Sequence, residues 1–427
     1  MKRIYLLNLI LVSSILFPWI PSVATAPQLR PEWFVLIVGI AMFPVSRRAL
    51  ASKVALWTAL TFLAYAVSLV YGFVVIGSAV DISDMTEMMK PLLYFLFFIF
   101  AASGRHTMAE YHGLLRIAIF SLVVAAVITL IQFFAPDRVA PLLRLWADDE
   151  RIYSYELVRA TGTLGNPNDL GFMMTIAFTL VLFTLESGLL PKRLSQALLL
   201  CCFAAVFATG SRTGMITLAS VIIVYVYMGV KASKVIVVVA GALTFLAFWI
   251  FDEVLSHLVI AEGLVERVNT FSFLESDLPW QTRLELVSEM IPLIAESPVF
   301  GHGPAKMTFE LGANIDNEYM LTLYRSGIIG LIATVGLVFA LAMQYRRVVT
   351  SPRSLPRSMQ QFAIASLVAA GLFAITAGIF LSFRLFGLLT VLWTVTAYVR
   401  SSGASENLDA PGDQPYFSGY MAAPGRP

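Results

Sequence analysis

The sequence is poor in charge. Only 13% of its 427 residues are Asp, Glu, Lys or Arg, against about 25% in an ordinary soluble domain. A soluble chain of this length would need far more charge to cover its cores, so that class is excluded. Cysteine is nearly absent. Cys201 and Cys202 are the only two and stand side by side in an apolar run, which rules out a disulfide framework and a cysteine-based zinc site. Net charge is only +2, so the composition carries no electrostatic footprint for nucleic acid.

Apolar residues are what the chain has in excess, 58% of the total, with a mean hydropathy of +0.80. That surplus calls for the bilayer as a second apolar solvent. A spanning helix takes about 20 largely apolar residues. Twelve stretches qualify, at 4–20, 33–46, 54–76, 91–103, 113–135, 170–185, 194–209, 213–230, 235–251, 319–343, 360–383 and 385–399. The expected fold is all-α, a polytopic integral membrane protein with about twelve transmembrane helices. Residues 1–400 form one transmembrane domain and 401–427 a disordered cytoplasmic tail rich in Gly, Ser, Ala, Pro and Asp. The first stretch also carries signal-peptide features, Lys2-Arg3 before an apolar run and Ala24-Thr25-Ala26 after it, but its length suits a retained span better.

Orientation follows from Lys and Arg. With the N-terminus inside and the loops alternating, the inner loops hold seventeen of the 29 basic residues and five of the 27 acidic ones. Both termini are therefore expected in the cytoplasm. The larger loops, 136–169 and 252–318, then face outward, and so does the chemistry.

Three outward segments carry candidate residues. The first ends Arg159-Ala-Thr-Gly162-Thr-Leu-Gly165-Asn166-Pro167-Asn168-Asp169. Its glycines permit tight turns, and Asn168 or Asp169 can cap the next helix. A helix N-terminus opening outward is a natural phosphate site, or merely a capped return into the membrane. The second is Thr209-Gly210-Ser211-Arg212-Thr213-Gly214, where Arg212 either snorkels to headgroups or holds an anion through its bidentate fork. In the third, apolar residues at 284, 287, 291 and 294 mark one face of a surface helix that bears Arg283, Glu289 and Glu296 off that face, with Pro292 ending or kinking it. A turn cluster, Ser297-Pro298-Val-Phe-Gly301-His302-Gly303-Pro304, follows. Next comes Asp316-Asn317-Glu318 at the mouth of a span containing Arg325, Gly327 and Gly330. An arginine at that depth is a functional candidate by default. The plainer alternative is a helix capped by Asp316 with a structural Glu318–Arg325 pair.

In this order, the motifs resemble those of the O-antigen ligase and polymerase superfamily. The pieces are Arg159 to Asn168, Thr209 to Arg212, Arg283 with Pro298, Gly301 and Gly303, and Asp316 to Gly330. The first 150 residues match only in hydropathy. The resemblance implies a GT-C-like, metal-independent glycosyltransferase without a cofactor, its large extracytoplasmic loop lying between helices nine and ten. It would sit in the bacterial cytoplasmic membrane and act on glycans carried by undecaprenyl pyrophosphate, beside a flippase and a chain-length regulator.

The resemblance also implies roles. Arg212 and Arg283 hold the pyrophosphate, with Arg159 and Arg325 as further candidates. Asp316, Asn317 and Glu318 form the catalytic group. Ligases have a histidine where this chain has Asp316, a departure that suits the polymerases, exopolysaccharide polymerases included. The base remains open among Asp316, Glu318 and His302. A ligase acting on lipid A core or protein is the nearest alternative. An anion transporter is the alternative from another class, disfavoured because the drawn spans hold almost no charge besides Arg116 and Arg325 and the halves do not repeat.

Overall fold

The apolar stretches fold as helices. The structure, a computed structural model, describes residues 2–18, 30–78, 82–104, 106–146, 159–185, 187–228, 278–303, 317–344, 355–378 and 382–397. The helices are α1 (Arg3–Leu16), α2 (Pro31–Met42), α3 (Arg47–Leu50), α4 (Lys53–Tyr71), α5 (Ile82–Ala102), α6 (Met108–Phe134) and α7 (Pro136–Leu143). After a 3-10 turn at Gly162–Leu164 come α8 (Pro167–Thr184), α9 (Lys192–Ala208), α10 (Arg212–Tyr227), α11 (Leu278–Glu296), α12 (Glu318–Ala342), α13 (Leu355–Thr376) and α14 (Phe383–Ala397). Among the described residues there is no strand. Eleven of the twelve expected stretches overlap these helices, several of them running past the helix ends. The remaining one, 235–251, falls outside the described residues, as does the tail 401–427.

Five helices are long and apolar enough to cross a membrane: Lys53–Ile76, Met108–Phe134, Pro167–Thr184, Glu318–Leu341 and Arg357–Thr376. Five further apolar helices are shorter. The fourth stretch extends well beyond its expected start, because α5 begins at Ile82 and runs through Pro91. Asp84, Glu87 and Lys90 kept that first part out of any apolar window.

Burial separates the core helix from the peripheral ones. In α8, 89% of the span is buried although its hydropathy is only 1.3, whereas α4 with its π-helical continuation reaches 2.2 and is 28% buried. A helix surrounded by helices can carry small and hydroxylic residues. Thr175 and Thr179 return their hydroxyls to the carbonyls of Gly171 and Thr175 at 3.0 and 2.6 Å, which satisfies them without solvent. Helices α6, α9, α10 and α13 pack around α8. α1 also belongs to the core, with Leu7, Ile10, Leu11 and Ile15 buried.

Contacts tie the helix ends into two groups. At one end Lys2 pairs with Glu110 at 3.7 Å, Arg3 donates to the Pro44 carbonyl at 2.8 Å, the Ser46 N–H donates to Ser103 at 2.8 Å, and Arg116 reaches the Leu189 carbonyl. At the other end Arg384 touches Phe17 and Thr163, while Thr213 meets Thr376 at 2.7 Å.

Candidate functional site

The loop from Arg159 to Asn166 stands at the second group of ends and is fixed from several sides. The buried side chain of Gln132, on α6, accepts the N–H groups of Thr161 and Gly162 at 3.0 and 2.8 Å and donates to the Thr161 hydroxyl at 3.2 Å. The Ala160 N–H bonds the Ala208 carbonyl at 3.0 Å. Gly162 and Gly165 take φ of 49° and 68°, a region costly for any residue with a Cβ. The loop delivers Asn166 to the N-cap of α8, where its side chain accepts from the Asn168 and Asp169 N–H groups at 2.8 and 3.3 Å. The expected caps, Asn168 and Asp169, are displaced because Pro167 occupies the first helical position, where its missing N–H costs nothing.

Freed from capping, Asn168 turns elsewhere. Its Oδ1 accepts from Arg159 Nη2 at 3.0 Å and from the Ser211 hydroxyl at 3.1 Å. Arg159 Nε also donates to the Thr209 carbonyl, at 3.1 Å. Ser211 caps α10, accepting from the Gly214 N–H at 3.0 Å, and Arg212 is the first residue of that helix. The starts of α8 and α10 lie against each other. A Cβ on Gly171 would sit 2.9 Å from Ser211 Cβ, and one on Gly214 would sit 3.1 Å from Gly171 Cα. Two helix N-termini therefore lie side by side, with the half-buried Arg159 before one and Arg212 at the start of the other, an arrangement of positive potential that suits a phosphate.

The second feature is a break in α12. Gly327 has φ 61° and ψ −166° inside that helix, a region open essentially to glycine alone. In an unbroken helix the Ile328 N–H would bond the Tyr324 carbonyl. Instead Ile328 donates to the Pro298 carbonyl at 2.9 Å, and the His302 and Gly303 N–H groups donate to the Tyr324 and Arg325 carbonyls at 2.8 and 3.0 Å. The turn 297–303 is thus a wedge that completes the broken ladder. Gly301 sits so close that a Cβ would strike the Arg325 backbone. Ser68 on α4 donates to the same Arg325 carbonyl, and the chain of α4 passes into a π-helical segment at Gly72–Ile76 beside His302.

His302 is a structural residue here. It is buried, its ring stacks on Tyr324 at 4.7 Å, and its Nε2 contacts the Leu293 carbonyl at 2.6 Å. α11 is helical throughout Leu278–Glu296, Pro292 included. Its packed face is Met290, Leu293 and Ile294 against Met320, Leu321 and Tyr324. Of the expected stripe, Ile294 belongs to this face, whereas Ile291 is 56% exposed and Met290 is buried in its stead.

The cap of α12 is Asn317, which accepts from the Tyr319 and Met320 N–H groups at 3.0 and 3.1 Å. That corrects the expectation of Asp316 as cap. Glu318 and Arg325 follow on α12 and are both buried. Asp316 and the Arg283 side chain lie outside the described residues, although the backbone of Arg283 is helical within α11.

Reading the sequence missed Gln132, Ser68 and the buried pair of Arg384 and Glu32. Each sits inside or at the edge of an apolar run and carries no motif. No curated protein matches the chain. Residues 197–335 match the family model described as O-antigen ligase, so this stretch, which runs from α9 through Arg212 and Arg283 to the far side of the α12 break, is similar to that family.

Proposed function

We propose that the protein is a polysaccharide polymerase that joins lipid-pyrophosphate-linked repeat units, of O-antigen or exopolysaccharide, on the outer face of the cytoplasmic membrane, with about twelve spans and both termini inside. The observation that carries this reading is the meeting of Arg159, Asn168, Ser211 and Arg212 at the starts of α8 and α10. A diphosphate held there needs its charge neutralised as it departs, and fixed guanidinium groups and helix N-termini supply that without reorganisation.

In the proposed step an acceptor sugar hydroxyl attacks the anomeric carbon of the donor. A new C–O bond forms, and the bond from that carbon to the pyrophosphate oxygen breaks. The electron pair leaves with the lipid pyrophosphate, and the hydroxyl proton passes to Asp316 acting as base. Arg212 and Arg283 hold the leaving group, Arg159 and Arg325 support it, and Asn317 and Glu318 shape the acceptor side.

Ligation of a whole glycan to lipid A core or protein is the second reading, favoured by the description of the matching family. Purified protein supplied with lipid-linked repeat units separates the two: a ladder of lengths marks a polymerase, and transfer only to an added acceptor lipid marks a ligase. Arg212→Ala should abolish either product in a folded protein, and Arg212→Lys should rescue poorly because the fork is lost. Native turnover in Arg212→Ala would refute the site.

A further inference from the structure

We infer that Arg384 and Glu32 form a positioning strut that sets the Arg159–Asn168 loop in its phosphate-binding place. This rests on the anion-site reading above. Arg384 is the second residue of α14, where a cation opposes the helix dipole. It is nevertheless buried, at 6% exposure. Its Nη1 donates to the Thr163 carbonyl at 3.1 Å and its Nη2 to the Phe17 carbonyl at 2.6 Å. Its Nε lies 3.9 Å from a carboxylate oxygen of Glu32, the second residue of α2, which is fully buried.

Neither Glu32 oxygen has a hydrogen-bond partner, so what faces the carboxylate is the Arg384 guanidinium and the N-terminus of α2. A guanidinium held on one side by that carboxylate and on another by the C-terminal carbonyl of α1 has one direction left for its remaining fork. That direction meets the backbone of Thr163, within the 3-10 turn. Thr163 lies between Arg159 and the α8 cap, Asn166. Gln132 clamps Thr161 and Gly162 from α6, and Arg384 clamps the next residue from α14. The loop is therefore gripped on successive residues by two helices that do not themselves supply its arginine. The strut acts through Arg159 and Asn168 and does not touch the donor.

The test uses the full-length protein in nanodiscs. Glu32→Leu combined with Arg384→Met removes both charges and leaves no buried ion unpaired. Hydrogen exchange across residues 160–165 and affinity for undecaprenyl pyrophosphate are then measured. The double variant should exchange faster in that loop while α6 and α9 keep native protection, and donor affinity should fall by about a hundredfold, as a misplacement of about 1 Å can cause. Turnover at saturating donor should fall much less. Native exchange and native affinity in the folded double variant would overturn the strut. Faster exchange in a protein whose native form never binds undecaprenyl pyrophosphate would uphold the strut and remove the pyrophosphate reading. Arg384→Lys keeps a cation beside Glu32 and serves if the double variant fails to fold. It should give intermediate exchange and affinity, and native values for both would overturn the need for the fork.

Discussion

Asn168 Oδ1 accepts from Arg159 at 3.0 Å and from Ser211 at 3.1 Å, so one amide oxygen joins the loop before α8 to the cap of α10. Both donors have other duties, Arg159 at the Thr209 carbonyl and Ser211 as helix cap. Asn168 therefore fixes the spacing between the two helix N-termini that form the proposed anion site.

Asn168→Ala should leave a folded protein, because the cap of α8 belongs to Asn166. It should loosen Arg159 and cost about tenfold to a hundredfold in rate at subsaturating donor, since misplacing a positioned group by about 1 Å can cost about a hundredfold. Asn168→Asp restores an acceptor and should recover part of the loss. Steady-state polymer formation with purified variants checks both. An alanine variant with native rates would show that the oxygen positions nothing.

The α12 break gives a stability prediction. Gly327 lies at φ 61° with Val299 against it, and a Cβ there would collide with the Val299 carbonyl. Gly327→Ala should combine backbone strain of about 1–3 kcal/mol with expulsion of the wedge. Gly330→Ala shares the sequence pattern and must displace the Ser326 side chain, but it carries no positive φ and meets no carbonyl of the wedge, so it should cost less. Thermal unfolding in detergent should rank Gly327→Ala well below Gly330→Ala and the native protein. Equal midpoints would mean that the wedge contributes nothing.

Much of the fold was legible because bilayer-spanning helices announce themselves by length and apolarity. The arginine motifs were legible because Gly, Pro and Asn leave turn signatures beside them. The break at Gly327 was not. A Gly-x-x-Gly pattern in an apolar run reads as close helix packing, and only the wedge from 297–303, brought against it by tertiary contact, reveals which glycine leaves the helix. The strut was equally hidden, since Glu32 and Arg384 are far apart in sequence and each looks like a charge at a membrane boundary. The caps misled for a local reason: Pro167 moved the cap of α8 back to Asn166, and Asn317 outcompeted Asp316.

A pH effect follows from His106, which lies between α5 and α6. The ring is buried and its Nε2 meets the Ala101 carbonyl at 3.0 Å. Burial pushes its pKa below the ordinary histidine value, against smaller upward pulls from the Ala101 carbonyl and Glu110, with Arg3 adding a small downward push. The unfolded chain then binds a proton at higher pH than the folded one. Stability from this residue is present above about pH 6.5 and is lost as pH falls through the folded value. The drop in unfolding temperature between pH 7.5 and pH 5.5 should be smaller in His106→Gln than in the native protein. An equal drop would assign the acid sensitivity to other groups.

The last prediction concerns the proton. Three residues were open as its acceptor, and the structure changes their standing. His302 is stacked on Tyr324 and turned to the Leu293 carbonyl, so its ring serves the wedge. Glu318 is buried in the first turn of α12. Asp316 directly precedes Asn317, whose side chain holds the cap of α12, and it is the group proposed to take the proton. His302→Ala should therefore lower the unfolding temperature and reduce turnover only in proportion to lost folded protein. Asp316→Asn should keep the native unfolding temperature and donor affinity yet lose turnover by about a hundredfold or more, the contribution expected of a general base. Raising the pH should not rescue it, because asparagine has no titratable oxygen to recover. If Asp316→Asn turns over normally while Glu318→Gln is inactive and folded, the proton belongs to Glu318.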